Sequence, residues 1–192
     1  VFVVGYTQSD GWINGGHDTT LDGSRDGFVV KLNSSGVHSW SAYLGGVNSD
    51  SAAEVAVDSS DDIIIVGETK SPSWVSGSQS FDGPIDAFVV KLNANNTLDW
   101  SRYVGGDDND NGSSVAIDYT DNIIIGGWTS STNHAAGGRE TSKGGPIDGF
   151  VGKLLSNGNE VWSSYLGGDG HEQGFDVAID NEDNVLVVGA TS

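Results

Sequence analysis

Apolar residues along this chain gather in short runs rich in β-branched and aromatic side chains, such as Ile63-Ile64-Ile65-Val66 and Phe88-Val89-Val90, with clusters of Gly, Asn, Asp and Ser between them. Nowhere do they recur at the 3.6-residue spacing of an amphipathic helix. The pattern predicts an all-β chain. In the stretch 51–110 it places strand A at Glu54–Asp58, strand B at Ile63–Glu68, strand C at Asp86–Leu92 and strand D at Leu98–Val104. The A–B and C–D connections are short enough for hairpins, whereas B and C are joined by a long polar loop from Thr69 to Ile85.

The same pattern returns along the chain. Phe28-Val29-Val30-Lys31-Leu32 recurs as Phe88-Val89-Val90-Lys91-Leu92 and as Phe150-Val151-Gly152-Lys153-Leu154, in steps of 60 and 62 residues. Trp40, Trp100 and Trp162 keep those steps, as do the motifs ending in Gly46, Gly106 and Gly168, and those ending in Asp58, Asp118 and Asp180. Gly5, Gly67, Gly127 and Gly189 are each followed two residues later by a Thr.

Four antiparallel strands per repeat of this length predict an all-β β-propeller built of four-stranded blades; a β-solenoid has shorter coils, usually about 20–30 residues. The expected division is 1–50 as a partial blade of strands B, C and D, 51–110 and 111–172 as full blades, and 173–192 as strands A and B of a further blade. Three repeats make an incomplete ring, since propellers close with about 4–8 blades. The expectation is therefore an excerpt of a longer array or one part of an assembly, with further repeats of the same longer chain, or other copies, as partners.

Written out as a blade, the motifs Asp86-Ala87-Phe88-Val89-Val90-Lys91-Leu92, Tyr165-Leu166-Gly167-Gly168 and Val57-Asp58 resemble the bacterial β-propeller repeat family abbreviated SBBP, in three copies covering nearly the whole chain. The resemblance implies secreted or cell-surface proteins, often large. Members of that family usually carry Gly after the acidic A–B turn and an aromatic-Pro motif in the long loop. Here the turns read Asp61-Asp62, Asp121-Asn122 and Asp183-Asn184, and the loops keep only Pro72, Pro84 and Pro146.

Composition narrows the chemistry. Eight Lys and Arg stand against 27 Asp and Glu, a formal charge of −19, so nucleic acid and anionic membrane surfaces are disfavoured as partners. There is no Cys, which removes disulfide scaffolds and thiolate metal sites. No apolar run is long enough to cross a bilayer as a helix.

Three sets of residues are candidates for binding. Asp107-Asp108-Asn109-Asp110-Asn111-Gly112 followed by Asp118 matches a calcium-loop pattern, with Asp107, Asn109, Asn111 and Asp118 as oxygen ligands; the alternative is a solvated acidic turn. Trp12 and Trp74 lie in the B–C loops, with His134 in their place in the third copy. They are candidates for stacking on a sugar, the alternative being a loop folded on itself. Asn33, Asn95 and Asn111 open N-x-[ST] sequons. Asp58, Asp118 and Asp180 read as acceptors in the A–B turns, Lys31, Lys91 and Lys153 as partners of a blade carboxylate, and the repeated Trp residues as packing between blades. The four His share no repeat position, and neither a nucleophile elbow nor an HExxH helix motif occurs.

These features predict a non-catalytic extracellular or cell-surface scaffold or adhesion module that meets protein or glycan ligands through its loops, with calcium as the sole candidate cofactor. The alternatives are a structural subunit of an extracellular filament or surface layer and, less favoured, a propeller-fold carbohydrate-active enzyme.

Overall fold

The computed structural model describes residues 1–77 and 79–192. The described residues form thirteen strands and no helix. Strands β1 (Phe2–Thr7), β2 (Asp26–Leu32) and β3 (His38–Leu44) form a three-stranded sheet. Two four-stranded sheets follow, β4 (Asp50–Val57), β5 (Ile63–Thr69), β6 (Asp86–Leu92) and β7 (Leu98–Val104), then β8 (Asp110–Ile117), β9 (Ile123–Thr129), β10 (Asp148–Leu154) and β11 (Glu160–Leu166). Strands β12 (Glu172–Ile179) and β13 (Val185–Thr191) pair as the last sheet. Every pairing between the named strands is antiparallel and joins neighbours in sequence, and each sheet packs face to face on the next. These sheets are β-propeller blades, numbered 1 to 4 below.

Strand A begins earlier than the apolar pattern indicates, at Asp50 rather than Glu54. Its first half, Asp50-Ser51-Ala52-Ala53, is polar and small, because it lies against the neighbouring blade and a buried carboxylate is built into it. A β-bulge interrupts strand A at Ala52/Glu54 and again at Gly112/Ser114. The bulge re-aims a side chain: Glu54 Oε2 accepts from the Val115 N–H (2.7 Å), and Ser114 Oγ from the Val177 N–H (3.0 Å), so each strand A is bonded to the next.

The Gly-x-Thr motif has a packing cause. Gly67 lies opposite Phe88 and Gly127 opposite Phe150. A Cβ at either glycine would come within 2.8 Å of the phenyl ring and closer still to a carbonyl oxygen of strand A. The flat strand lets Phe88 and Phe150 bury completely, each worth about 1.5–3 kcal/mol. Between blades 1 and 2 the core gathers Val29, Ala42, Leu44, Ile63, Ile65 and Phe88; between blades 2 and 3 it gathers Val66, Val89, Ile125, Phe150 and Leu154.

At the opposite ends of the strands the A–B turns behave as the sequence indicates. Asp58 accepts from the backbone N–H groups of Ser60 and Asp62, Asp118 from Thr120 and Asn122, and Asp180 from Glu182 and Asn184. Lys91 and Lys153 then reach those carboxylates from strand C, each at 2.7 Å. Burial opposes ionisation of Asp118, yet the bonds from Lys153 and Asn122 outweigh it and hold its carboxyl well below the usual range. Lys31 differs: its ammonium lies over the Phe2 ring, 5.3 Å from the centroid. Asp61, Asp121 and Asp183 sit at φ 63°, 62° and 66°, in the left-handed region. Asp tolerates this region better than most residues, and here the side chain is used. Asp121 accepts from Ser59 N–H and Oγ of the preceding blade, and Asp183 accepts from Tyr119 N–H.

Candidate functional site

The loops that matter are the B–C and D–A connections, which meet at one end of the blades. Asn48 of a D–A loop donates its backbone N–H to Ser71 Oγ (2.8 Å) and its side-chain amide to the Lys70 carbonyl (2.8 Å) in the next B–C loop. One blade on, the Asp108 N–H donates to Ser131 Oγ (2.8 Å) and the Asp107 N–H to Asn133 Oδ1 (3.0 Å). The Asp50, Asp110 and Glu172 N–H groups donate to carbonyls of the preceding blade at Arg25, Ile85 and Ile147.

Two rows of buried carboxylates hold this face from below. Asp26, Asp86 and Asp148 open the C strands, and each accepts two backbone N–H bonds from the end of its own B–C loop, for example Gly144 (2.8 Å) and Gly145 (2.9 Å) onto Asp148. Asp50, Asp110 and Glu172 open the A strands and take the D–A loops, through Gly46 (2.9 Å), Gly106 (2.8 Å) and Gly168 (3.3 Å). The Thr of the Gly-x-Thr motif completes this row, with Thr69 bonded to Asp50 and Thr191 to Glu172. Tyr43, Tyr103 and Tyr165 add a third tie, each hydroxyl donating to a carbonyl at the start of a B–C loop, Ser9, Ser71 or Ser131.

Pairing these acids has an electrostatic consequence. Burial, together with the neighbouring carboxylate of the next blade, pushes Asp26 and Asp86 up to about 6. Asp110 is raised by its burial as well. The two rows keep the 60- and 62-residue steps, so the repeat spacing marks them, but acidic residues are too frequent in this chain for the sequence alone to single them out.

The structure separates the candidate calcium ligands. Asp107 and Asn109 lie in the D–A loop, Asn111 is the second residue of β8, and Asp118 follows the far end of that strand. An extended strand rises about 3.3 Å per residue, which carries Asp118 out of reach of the loop, and its carboxylate is taken by Lys153. Asn111 donates instead to Glu68 Oε2 at 2.9 Å. The four residues form no single coordination sphere, because β8 is a strand where a calcium loop would have to curl. Among the described residues no group of three or more His, Asp or Glu side chains is arranged to hold a metal.

The B–C aromatics likewise turn inward. Trp12, Trp74 and His134 stand edge-on to Phe28, Phe88 and Phe150, with centroids 5.3, 5.1 and 4.3 Å apart. Trp74 is half-buried and donates its indole N–H to Thr69 Oγ1 (2.9 Å), and His134 is 8% exposed, so neither offers a free ring face to a sugar. Trp12 remains 42% exposed. Asn33 and Asn95 sit on exposed C–D turns, while the Asn111 amide is engaged within a strand.

What the loop face does offer is a groove of about 390 Å³ between blades 1 and 2, bordered by His17, Asp18, Val47, Pro72 and Trp74. Val47 is 70% exposed at its rim. No protein-family model matches the chain. An uncharacterized WD repeat-containing protein of Acanthamoeba polyphaga mimivirus is 24% identical over 152 residues, which cover 70% of this chain and 11% of that protein. The chain thus spans about a tenth of the relative's length.

Proposed function

We propose that this chain is a non-catalytic interaction scaffold, an extracellular or cell-surface propeller module of SBBP type that presents its B–C and D–A loops to protein or glycan partners. The observation that carries the reading is the construction of the loop face. Its repeated carboxylates, tyrosines and threonines are spent on fixing backbone, leaving a preorganised surface with the groove between blades 1 and 2 open. A preorganised surface loses less conformational entropy on binding. Likeness to a WD repeat-containing protein supports a repeat scaffold in the same direction.

A second reading, assembly through further propeller repeats, is favoured by the likeness to a WD repeat-containing protein of which the match covers only 11%. The scaffold reading is tested by surface plasmon resonance of the chain over immobilised mucin and collagen, comparing wild type with Trp12→Ala and Val47→Asp. Saturable binding weakened by both variants supports it; binding to neither surface, or binding indifferent to both variants, refutes the loop-face assignment.

A further inference from the structure

The junction between blades 2 and 3 encloses a second space, about 220 Å³, that the loop-face reading does not use. It occupies the place that the groove holds between blades 1 and 2, but four positions of its lining differ from their counterparts there. Gly152 replaces the valine found at Val30 and Val90, Arg102 replaces Ala42, Glu160 replaces Leu98, and His134 replaces Trp74. All four residues line the cavity, with Val104 and Ala136 among its apolar walls.

We infer that this cavity is a binding site for a small neutral polyhydroxylated solute, between glycerol and a monosaccharide in size. Volume sets the first limit, since at about 30 Å³ per water it holds roughly seven waters or one such molecule. Charge sets the second. Arg102 is buried and donates to the carbonyls of Gly158 (2.6 Å) and Tyr103 (3.3 Å) and to Glu160 Oε2 (3.4 Å). The guanidinium and the Glu160 carboxylate offset one another, and Asp82 in the lining, with the chain's charge of −19, further disfavours an anion. Burial holds the His134 imidazole below its ordinary value, in the neutral form, which carries one donor and one acceptor.

Hydrogen-bonding capacity is left over. Both His134 ring nitrogens lack a partner, and Arg102 has five N–H groups for the three bonds it makes. A buried polar group without a partner is costly. Hydroxyl groups, which donate and accept, suit such mixed walls, while the C–H face of a sugar or polyol suits the apolar Val104 and Ala136. This site lies inside a blade junction, separate from the groove between blades 1 and 2, so its failure leaves the scaffold reading standing.

The test is saturation-transfer difference NMR of the chain with D-glucose, D-galactose and glycerol. Saturable transfer to at least one of them is expected, at least about tenfold weaker in Glu160→Gln and weakened in Gly152→Val, which narrows the space with the side chain found at Val30 and Val90. If Gly152→Val does not fold, Gly152→Ala serves, because its methyl would meet Ile125 Cγ1 at 3.4 Å, an ordinary contact. Absence of transfer to all three solutes overturns the proposal. So does transfer at wild-type strength in Glu160→Gln or in the folded Gly152 variant.

Discussion

Two blade junctions in this molecule share one backbone plan and differ in chemistry. Between blades 1 and 2, Ala42 faces a sheet that carries Val90 and Phe88, Trp74 covers the phenyl edge, and the junction core is aliphatic. Between blades 2 and 3 the equivalent places hold Arg102, Gly152, Phe150 and His134, and the space there is lined by polar side chains. The strand pairings around them match residue for residue, Ile65 with Val90 and Ile125 with Gly152. A frame fixed by repeated carboxylate, tyrosine and glycine contacts therefore tolerates the exchange of side chains at a junction without a change of fold.

The A–B turns carry ion pairs common to blades 2 and 3. In Lys91→Met the Asp58 carboxylate, almost wholly buried, loses the ammonium at 2.7 Å, and a destabilisation of about 3–5 kcal/mol is expected in urea unfolding. Lys153→Met should cost less, because the Lys153 side chain is 24% exposed against 7% for Lys91. Equal losses would show that burial does not set the strength of these pairs.

Opening the aliphatic junction comes next. Val90→Gly removes a fully buried side chain and places Gly in a strand interior, which together should cost about 3 kcal/mol. Arg102→Ala, in the polar junction, leaves the Gly158 carbonyl and Glu160 without their donor and should cost about 2 kcal/mol. If Val90→Gly proved the milder of the two, the contrast between the apolar and the polar junction would fail.

The smallest effect is in pH. Asp26 is pushed up to about 6 from 3.8, so between those values the folded chain binds more protons than the unfolded one. Its contribution to stability is therefore full below about pH 4 and is lost as the pH rises through 6. Burial lowers His134, and its contribution runs the other way, present above the ordinary histidine value and lost on acidification. Asp26→Asn should thus reduce the gain in urea midpoint seen on going from about pH 7 to about pH 5, and His134→Trp should enlarge it. An unchanged profile in Asp26→Asn would place the titration elsewhere.

Much of the frame was legible in the sequence. Apolar runs at fixed steps located strands B, C and D, and the rarity of lysine pointed to the contacts that Lys91 and Lys153 make with blade carboxylates. The first half of strand A was hidden, since Asp50 to Ala53 has the composition of a loop and becomes a strand only because the neighbouring blade buries it. That hidden strand also made Asp107 to Asp118 look like a calcium loop. Lys31 kept the repeat position but not the contact, meeting Phe2 instead. Gly152 was visible as a departure from the motif, yet its meaning depended on Arg102 and His134 lining the same space, which no local pattern reveals.

The most direct measurement is to give the junction between blades 2 and 3 the chemistry of the other, combining Arg102→Ala, Gly152→Val, His134→Trp and Glu160→Leu, and to compare urea unfolding with wild type. If both junctions rest on one frame, the variant should fold with a midpoint at or above wild type, since well-packed apolar replacements of buried ionic groups are often neutral or stabilising by about 1–4 kcal/mol. A variant that does not fold, or unfolds at lower urea than wild type, would contradict the shared frame and show that the polar residues hold that junction together.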